Sequence, residues 1–380
     1  MKLIFSTDSF KVGNRSYEGF PILLHDNMQT FMEGLNFSIY YCIKRGRVGK
    51  SSWVTYGRDL YDFFAFVDAN ELDWRNITSR IDSHILSVYR DAALKDFQLA
   101  ESTVNRRLGL LVKFYKYAMQ HGWVSALPYE IEEIRVNQPK GFLAHTDKSG
   151  GVKASPDVLL KKRKTKIKVL NTEQVGMLLN AVKGKQDKLM IRLCLATGIR
   201  KEELLTIPKS YVVNPQRFSA RNHNFVVTLS PRDMETKGSH ERSIHIPRAL
   251  MEDLWQFVIH ERSVLSQKAS QEYPNLFLNN LGRPFSVESN ALNKKLNELG
   301  LPFSVAPHML RHTFATHTLR ALMERKDLKI NPLMYVRDRL GHSSISITEK
   351  YLHFIDDVSD GVLNNYQEEI DLIIEGLTDV

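Results

Sequence analysis

The chain has 380 residues, enough for two domains that each bury a core of their own. Its formal net charge is +9 and its pI is about 9.3, which favours an acidic polymer as partner and says nothing about fold. Cys42 and Cys194 are the only cysteines, which excludes a disulfide framework and a cysteine-based zinc site and points to a reducing compartment.

The first apolar run, Leu3-Ile4-Phe5, is too short for a secretory signal. No stretch reaches the roughly 18 apolar residues of a membrane span. A soluble, cytoplasmic protein without a membrane partner is expected. Residues 1–25 read as an irregular or strand-like extension, broken at Gly13, Gly19 and Pro21. Residues 26–135 read as a small helical bundle. Trp53, Tyr56, Leu60, Phe63 and Val67 step by three and four, as do Val104, Leu108, Leu111, Tyr115 and Ala118, with Gly122 as a stop. Ile81, Ile85 and Tyr89 predict a shorter helix between them. The face opposite the second stripe carries Arg106, Arg107, Lys113 and Lys116, which is a solvated basic face or a phosphate-contacting one.

Residues 136–168 lose this periodicity at Pro139, Gly141, Gly150, Gly151 and Pro156 and read as a basic linker. They hold nine Lys or Arg and two Asp, a net of +7 out of the +9 of the whole chain. The densest run is Lys161-Lys162-Arg163-Lys164. A solvated tether and a segment tracking a phosphate backbone need the same composition.

A second domain is expected over 169–355. Asn171 with Gln174 three residues on has the capping-box pattern ahead of an apolar run. Helices are predicted through Met177, Leu178 and Val182 and from Leu189 to Ala196. Phe225–Leu229 and Ser243–Ile246 read as short strands, joined by a hairpin-like connection that contains Lys237-Gly238-Ser239. Helical signals return from Ala249.

Several residue types here suit phosphate chemistry. Arg200 follows Thr197-Gly198 at a helix junction, and its guanidinium fork suits phosphate oxygens. Glu203, three residues on, can hold it in place. His308 and Arg311 share a helical face just after Pro307, which suits a helix start. His308 and His312 also have the spacing of two zinc ligands, with His317 nearby. Met309 stands where the H-E-x-x-H motif needs its glutamate, so no metal site is expected. His342 follows Gly341, and Tyr351 lies nine residues beyond. A tyrosine of ordinary pKa, about 10, is a weak nucleophile unless cations and a base favour its phenolate.

The set Thr197-Gly198-x-Arg200-x-x-Glu203-Leu204, His308-x-x-Arg311 and Leu340-Gly341-His342 followed by Tyr351 resembles the tyrosine recombinase (phage integrase) family. The flank from Pro307 to Thr316 is similar as well. The resemblance implies a mainly α fold with a small antiparallel β-sheet in the catalytic domain, arranged as a two-domain DNA clamp. It implies a site-specific recombinase that cuts and rejoins DNA without metal, ATP or another cofactor. Tyr351 would attack the scissile phosphate, leaving a 3′-phosphotyrosyl link and a free 5′-hydroxyl. Arg200 and Arg311 would hold the non-bridging oxygens. His308 would accept the tyrosine proton, His342 would hydrogen-bond the phosphate, and Lys237 would protonate the leaving oxygen. The 31 residues from Arg311 to His342 exceed the family's usual gap, and the extra length is placed over Met323 to Pro332. The partners implied are double-stranded DNA and a homo-tetramer on paired sites. The acidic segment 356–380 is expected to form a helix with Val362, Tyr366, Ile370, Ile373 and Leu377 on one face, packing on its own domain or on a neighbouring subunit. Residues 352–380 hold eight Asp or Glu and no Lys or Arg. The alternatives are a tyrosine-type transposase of the same chemistry, a type IB topoisomerase, and a DNA-binding protein without catalysis. The basic linker and the extra length favour a mobile element.

Overall fold

The computed structural model describes residues 1–46, 48–77, 84–135, 152–161, 167–325, 330–342 and 344–352. The chain divides into two compact units, Met1–Lys164 and Thr165–Val380. Among the described residues no helix is long and apolar enough to cross a membrane.

In the first unit β1 (Lys2–Phe5) pairs antiparallel with β4 (Pro21–Leu24), with Lys2 opposite Leu24 and Phe5 opposite Pro21. A two-residue ribbon, β2 (Lys11–Val12) and β3 (Arg15–Ser16), lies between them in sequence. The extension is thus strand-like, and Leu23 and Leu24 bury into the unit. Among the described residues the α-helices α1 (Met32–Ser38), α2 (Trp53–Ala69), α3 (Ile85–Lys95) and α4 (Glu101–Gln120) follow. The predicted stripes are their buried faces. Leu60, Phe63 and Val67 of α2 meet Val104, Leu108, Leu111 and Tyr115 of α4 in one core. Of the shorter predicted stripe, Ile85 and Tyr89 lie on α3, while Ile81 is outside the described residues. Phe63, Phe64, Trp74, Phe114 and Tyr115 meet edge to face, a geometry that adds to area burial.

The expected linker is folded over its later part. β5 (Ile131–Arg135) pairs antiparallel with β6 (Val152–Pro156), Ile131 opposite Pro156 and Arg135 opposite Val152. Val158 is buried in the first unit, and the Asn105 amide of α4 brackets Leu160, donating to its carbonyl at 2.9 Å and accepting from its N–H at 2.8 Å. Apolar residues at 158–160 make this stretch part of the first unit rather than a tether. Lys161 is exposed, and Lys162, Arg163 and Lys164 lie outside the described residues.

The second unit opens with α5 (Thr172–Ala181), whose capping box forms as read: the Asn171 side chain accepts from Gln174 N–H at 2.8 Å and Gln174 accepts from Asn171 N–H at 3.0 Å. Next come α6 (Lys185–Thr197) and the short α7 (Lys201–Thr206). The two predicted strands are β7 (Asn224–Leu229) and β8 (Arg242–Pro247), paired antiparallel with Asn224 opposite Pro247 and Leu229 opposite Arg242. Residues 230–241 connect them, so Lys237–Ser239 forms a 3-10 turn inside a long connection rather than a tight hairpin. The further α-helices among the described residues are α8 (Arg248–Ile259), α9 (Glu261–Ser266), α10 (Ala291–Asn297), α11 (Pro307–Glu324), α12 (Pro332–Leu340) and α13 (Ile345–Thr348). Pro307 and Pro332 both sit in the first turns of their helices, where a missing N–H costs nothing. The stretch from Met323 to Pro332, where extra length is expected, takes in the end of α11, the connection and the first residue of α12; residues 326–329 within it, and the acidic segment 356–380, are outside the described residues.

One core joins α5, α6, the β7–β8 pair, α8 and α10. A smaller one, of Phe314, Ala315, Leu319, Val336, Leu340 and Tyr351, seats the end of the described chain against α11 and α12. Two side chains of α11 fix where the unit begins. Thr313 Oγ1 accepts from Leu170 N–H at 3.0 Å, and His317 Nε2 lies 2.8 Å from the Leu170 carbonyl. They are four residues apart, hence on one face.

Candidate active site

The site is assembled on the C-terminal end of α12. A helix end leaves its last carbonyls without partners and carries partial negative charge. Three arginines from three elements supply donors there. Arg242 of β8 donates to the Arg339 carbonyl. Arg311 of α11 donates from Nη2 to the Leu340 carbonyl at 2.6 Å. Arg200, just before α7, donates from Nη2 to the Leu340 and Gly341 carbonyls at 3.1 and 3.3 Å. Gly341 ends the helix at φ +61°, and a Cβ there would lie 2.8 Å from Arg242 Cδ. The glycine of Leu340-Gly341-His342 is needed for both reasons.

Glu203 organises the arginines. It is 1% exposed and accepts from Arg200 twice, from the backbone N–H at 2.9 Å and from Nη1 at 2.8 Å. Arg242 Nη2 donates at 2.5 Å to Oε2, the oxygen that also accepts from the Arg200 N–H. Burial alone would raise the Glu203 carboxyl, but Arg242 and then Arg200 outweigh it and hold the pKa at about 2. Arg311 is fixed independently: its Nη1 donates at 2.5 Å to the carbonyl of Gly198. Gly198 caps α6 at φ +62°, where a Cβ would meet Phe314 Cδ1 at 2.4 Å. Burial and the neighbouring guanidiniums of Arg200 and Arg242 pull Arg311 down to about 9, so it stays charged at neutral pH.

Tyr351 closes the site from a 3-10 turn (Glu349–Tyr351) and is 3% exposed. Its ring lies parallel to that of His342, centroids 6.3 Å apart. Burial pushes the phenol up, against the opposing pull of Arg311 and Arg200. His342 is held by Thr348, Nδ1 to Oγ1 at 3.0 Å. Burial, then Arg311 and Arg200, press its pKa to about 3, so it is neutral. The group at the Tyr351 hydroxyl is His312, whose Nδ1 lies 2.9 Å from Oη. His308 stands at the exposed first turn of α11, its ring 5.2 Å from that of His312. Its pKa is lowered by desolvation and then Arg311, with Lys237 also contributing. Lys237 is exposed on the β7–β8 connection, near enough for its charge to be felt at His308.

The second unit therefore brings Arg200, Glu203, Arg311, His342 and Tyr351 together, with His308 and Lys237 at the rim. Among the described residues no cluster of three or more His, Cys, Asp or Glu could hold a metal ion. His312, read in sequence only as half of a zinc-like pair, faces the phenol instead. Arg242 was not singled out in sequence, although a signal existed: in the period-two alternation of β8 it shares the inward face with Ile244 and Ile246. An arginine in that register needs a buried carboxylate.

The expected phosphate-contacting face of α4 is altered by pairing. Arg106 is bound to Asp59, which is 2% exposed, and Arg107 to Asp62. Arg107 Nη1 also reaches Tyr89 Oη at 3.2 Å. These two guanidiniums hold α4 to α2. Lys113 is exposed and donates to Tyr41 Oη at 2.7 Å.

The phage integrase family model matches residues 168–357, and that of the phage integrase N-terminal SAM-like domain matches residues 36–122. The chain belongs to the phage integrase family, the tyrosine recombinases. Transposase A from transposon Tn554 of Staphylococcus aureus is 25% identical over 295 residues, 75% of this chain and 74% of that protein. Tyrosine recombinase XerD of Halalkalibacterium halodurans is 26% identical over 339 residues, 87% of this chain and 93% of that protein. The solved Tn1549 transposon integrase in complex with transposon right end DNA has the same fold at TM-score 0.55 and 16% identity, over 91% of this chain and 99% of that one. This protein is a tyrosine recombinase, an enzyme that cuts and rejoins DNA through a phosphotyrosyl intermediate. A transposase carrying out the same chemistry falls within that family.

Proposed function

We propose that Tyr351 is the nucleophile of strand cleavage and that Arg200, Lys237, His308, Arg311 and His342 serve the same phosphate. The observation that carries this is the convergence of Arg200, Arg311 and Tyr351 on the end of α12. A guanidinium has five N–H donors, and the bonds to backbone and Glu203 fix each fork while leaving others for non-bridging oxygens. Fixed donors of this kind stabilise charge as it builds and need no reorganisation. His342 adds a neutral donor beside the phenol. Lys237, on an exposed connection, is the proton source for the leaving 5′-oxygen. The phosphotyrosyl ester keeps the energy of the broken phosphodiester, so a 5′-hydroxyl from another strand reverses the exchange.

The test is a nicked duplex site that traps the covalent adduct. Tyr351→Phe should bind the site with unchanged affinity and form no adduct. Strand cleavage by that variant at the parent rate overturns the assignment.

The partner is double-stranded DNA, and the working form is a homo-tetramer on two paired sites in the cytoplasm. The acidic segment 356–380 docks on a neighbouring copy; removing residues after Asp360 should leave single-site binding intact and abolish pairing of sites in a gel-shift assay. Paired complexes of normal yield would rule that docking out. The relationship to Transposase A of Tn554, with the net +7 of residues 136–168, favours a mobile element as the setting.

A further inference from the structure

We propose that His312 is a catalytic residue of the cleavage step: it holds the Tyr351 hydroxyl and takes its proton as the phenolic oxygen attacks phosphorus. The proposal rests on the reading that Tyr351 is the nucleophile.

The geometry is direct. His312 Nδ1 and Tyr351 Oη are 2.9 Å apart, and the two rings meet at 5.6 Å. A proton acceptor must stand within such reach of the proton it takes. His312 is also the residue after Arg311. Successive helical residues point about 100° apart, so one turn of α11 sends Arg311 to the end of α12 and His312 to the tyrosine turn. A phosphate held by Arg311 is thereby brought beside the phenol that His312 holds. His308 packs its ring 5.2 Å from that of His312, at the exposed rim where the charges of Arg311 and Lys237 act on it. That position suits a phosphate contact better than the phenol proton.

The electrostatics agree. Desolvation, then His308 and Arg311 of α11 and Lys350 of the tyrosine turn, holds His312 at about 4. His342, just past α12, also feels His312. The imidazole is therefore unprotonated at neutral pH, the form that accepts. An arriving phosphate anion raises a histidine pKa, so the substrate itself improves the base. In the balanced step the Oη–P bond forms and the P–O5′ bond breaks. The phenol proton passes to His312 Nδ1, and the 5′-oxygen takes a proton from the Lys237 ammonium. Rejoining runs the same transfers backwards.

The experiment follows adduct formation on a nicked duplex by full-length His312→Asn and His312→Ala across pH 5.5–9.5. Melting temperature and DNA affinity are measured alongside. His312→Asn should lose on the order of 100-fold or more in cleavage rate at pH 7, the usual size of a proton-transfer contribution. Its rate should then climb about tenfold per pH unit as solvent ionises the phenol. Imidazole added to His312→Ala should restore cleavage, a readout that holds even if that variant is less stable. A substrate with sulfur in place of the bridging 5′-oxygen, whose leaving group needs no proton, should rescue Lys237→Ala and not His312→Asn. A His312→Asn rate within a few-fold of the parent overturns the proposal. So does an equal loss at every pH without imidazole rescue, or rescue by the sulfur substrate. Adduct formation by Tyr351→Phe would instead overturn the nucleophile reading beneath it.

Discussion

Gly198 shows what single residues do here. In sequence it is one letter of Thr-Gly-x-Arg, and the glycine has no visible reason. In the structure it is in the left-handed region at φ +62°, pressed against Phe314, and its carbonyl holds Arg311. Gly198→Ala should therefore act twice. Strain and overpacking should cost about 1–3 kcal/mol of stability. Cleavage should fall further than stability explains, because the carbonyl that orients Arg311 is displaced. Melting temperature and adduct rate, measured at a temperature where the variant is fully folded, separate the two effects. Full cleavage in a folded variant would show that Gly198 serves packing alone. Tyr351 became a candidate in a different way. Its neighbours in the ordered motif set marked it, whereas the histidine that touches it did not stand out, because contact between residues 39 apart leaves no local pattern.

Elements explain why the motifs come as a set. The end of α12 receives Arg242 from β8, Arg311 from α11 and Arg200 from the turn before α7. Each motif contributes one side of a single junction, and Glu203 ties two sides together. The stripes of α2 and α4, the capping box of α5 and the β7–β8 strands were legible because each has a local period or cap. The role of β8 in the site was not, since Arg242 finds its carboxylate 39 residues away. Arg242→Ala should leave Glu203 facing one guanidinium and the Arg339 carbonyl without its donor. Removing one partner of a buried ion pair costs roughly 3–5 kcal/mol. The melting temperature should drop accordingly, and adduct formation should fall at temperatures below it, since Arg200 loses the carboxylate geometry that aims it. A variant as stable as the parent would mean that water takes the place of Arg242.

At the scale of the whole molecule, ion pairing marks which cations hold the fold. Two domains were expected from length, and the basic stretch between the motif-bearing regions stood out in composition. The β5–β6 pair within that stretch was not, because residues 136–151 separate its strands and no two-residue turn marks it. Composition also could not tell which cations are already paired. Arg107 is 15% exposed and tied to Asp62, so Arg107→Ala should lower the melting temperature and leave the salt dependence of DNA binding nearly unchanged. Lys161, Lys162, Arg163 and Lys164 should behave oppositely. Each phosphate neutralised contributes about 0.9 to the slope of log affinity against log salt. Replacing all four by Gln should flatten that slope by about 3 to 4 if every charge meets a phosphate, and weaken binding of unrelated duplexes as much as of the true site, with the melting temperature unchanged. Fluorescence anisotropy over a series of potassium chloride concentrations reads the slope directly. An unchanged slope would assign the run to solvent, and the excess charge that first pointed to an acidic polymer would have to meet the DNA elsewhere.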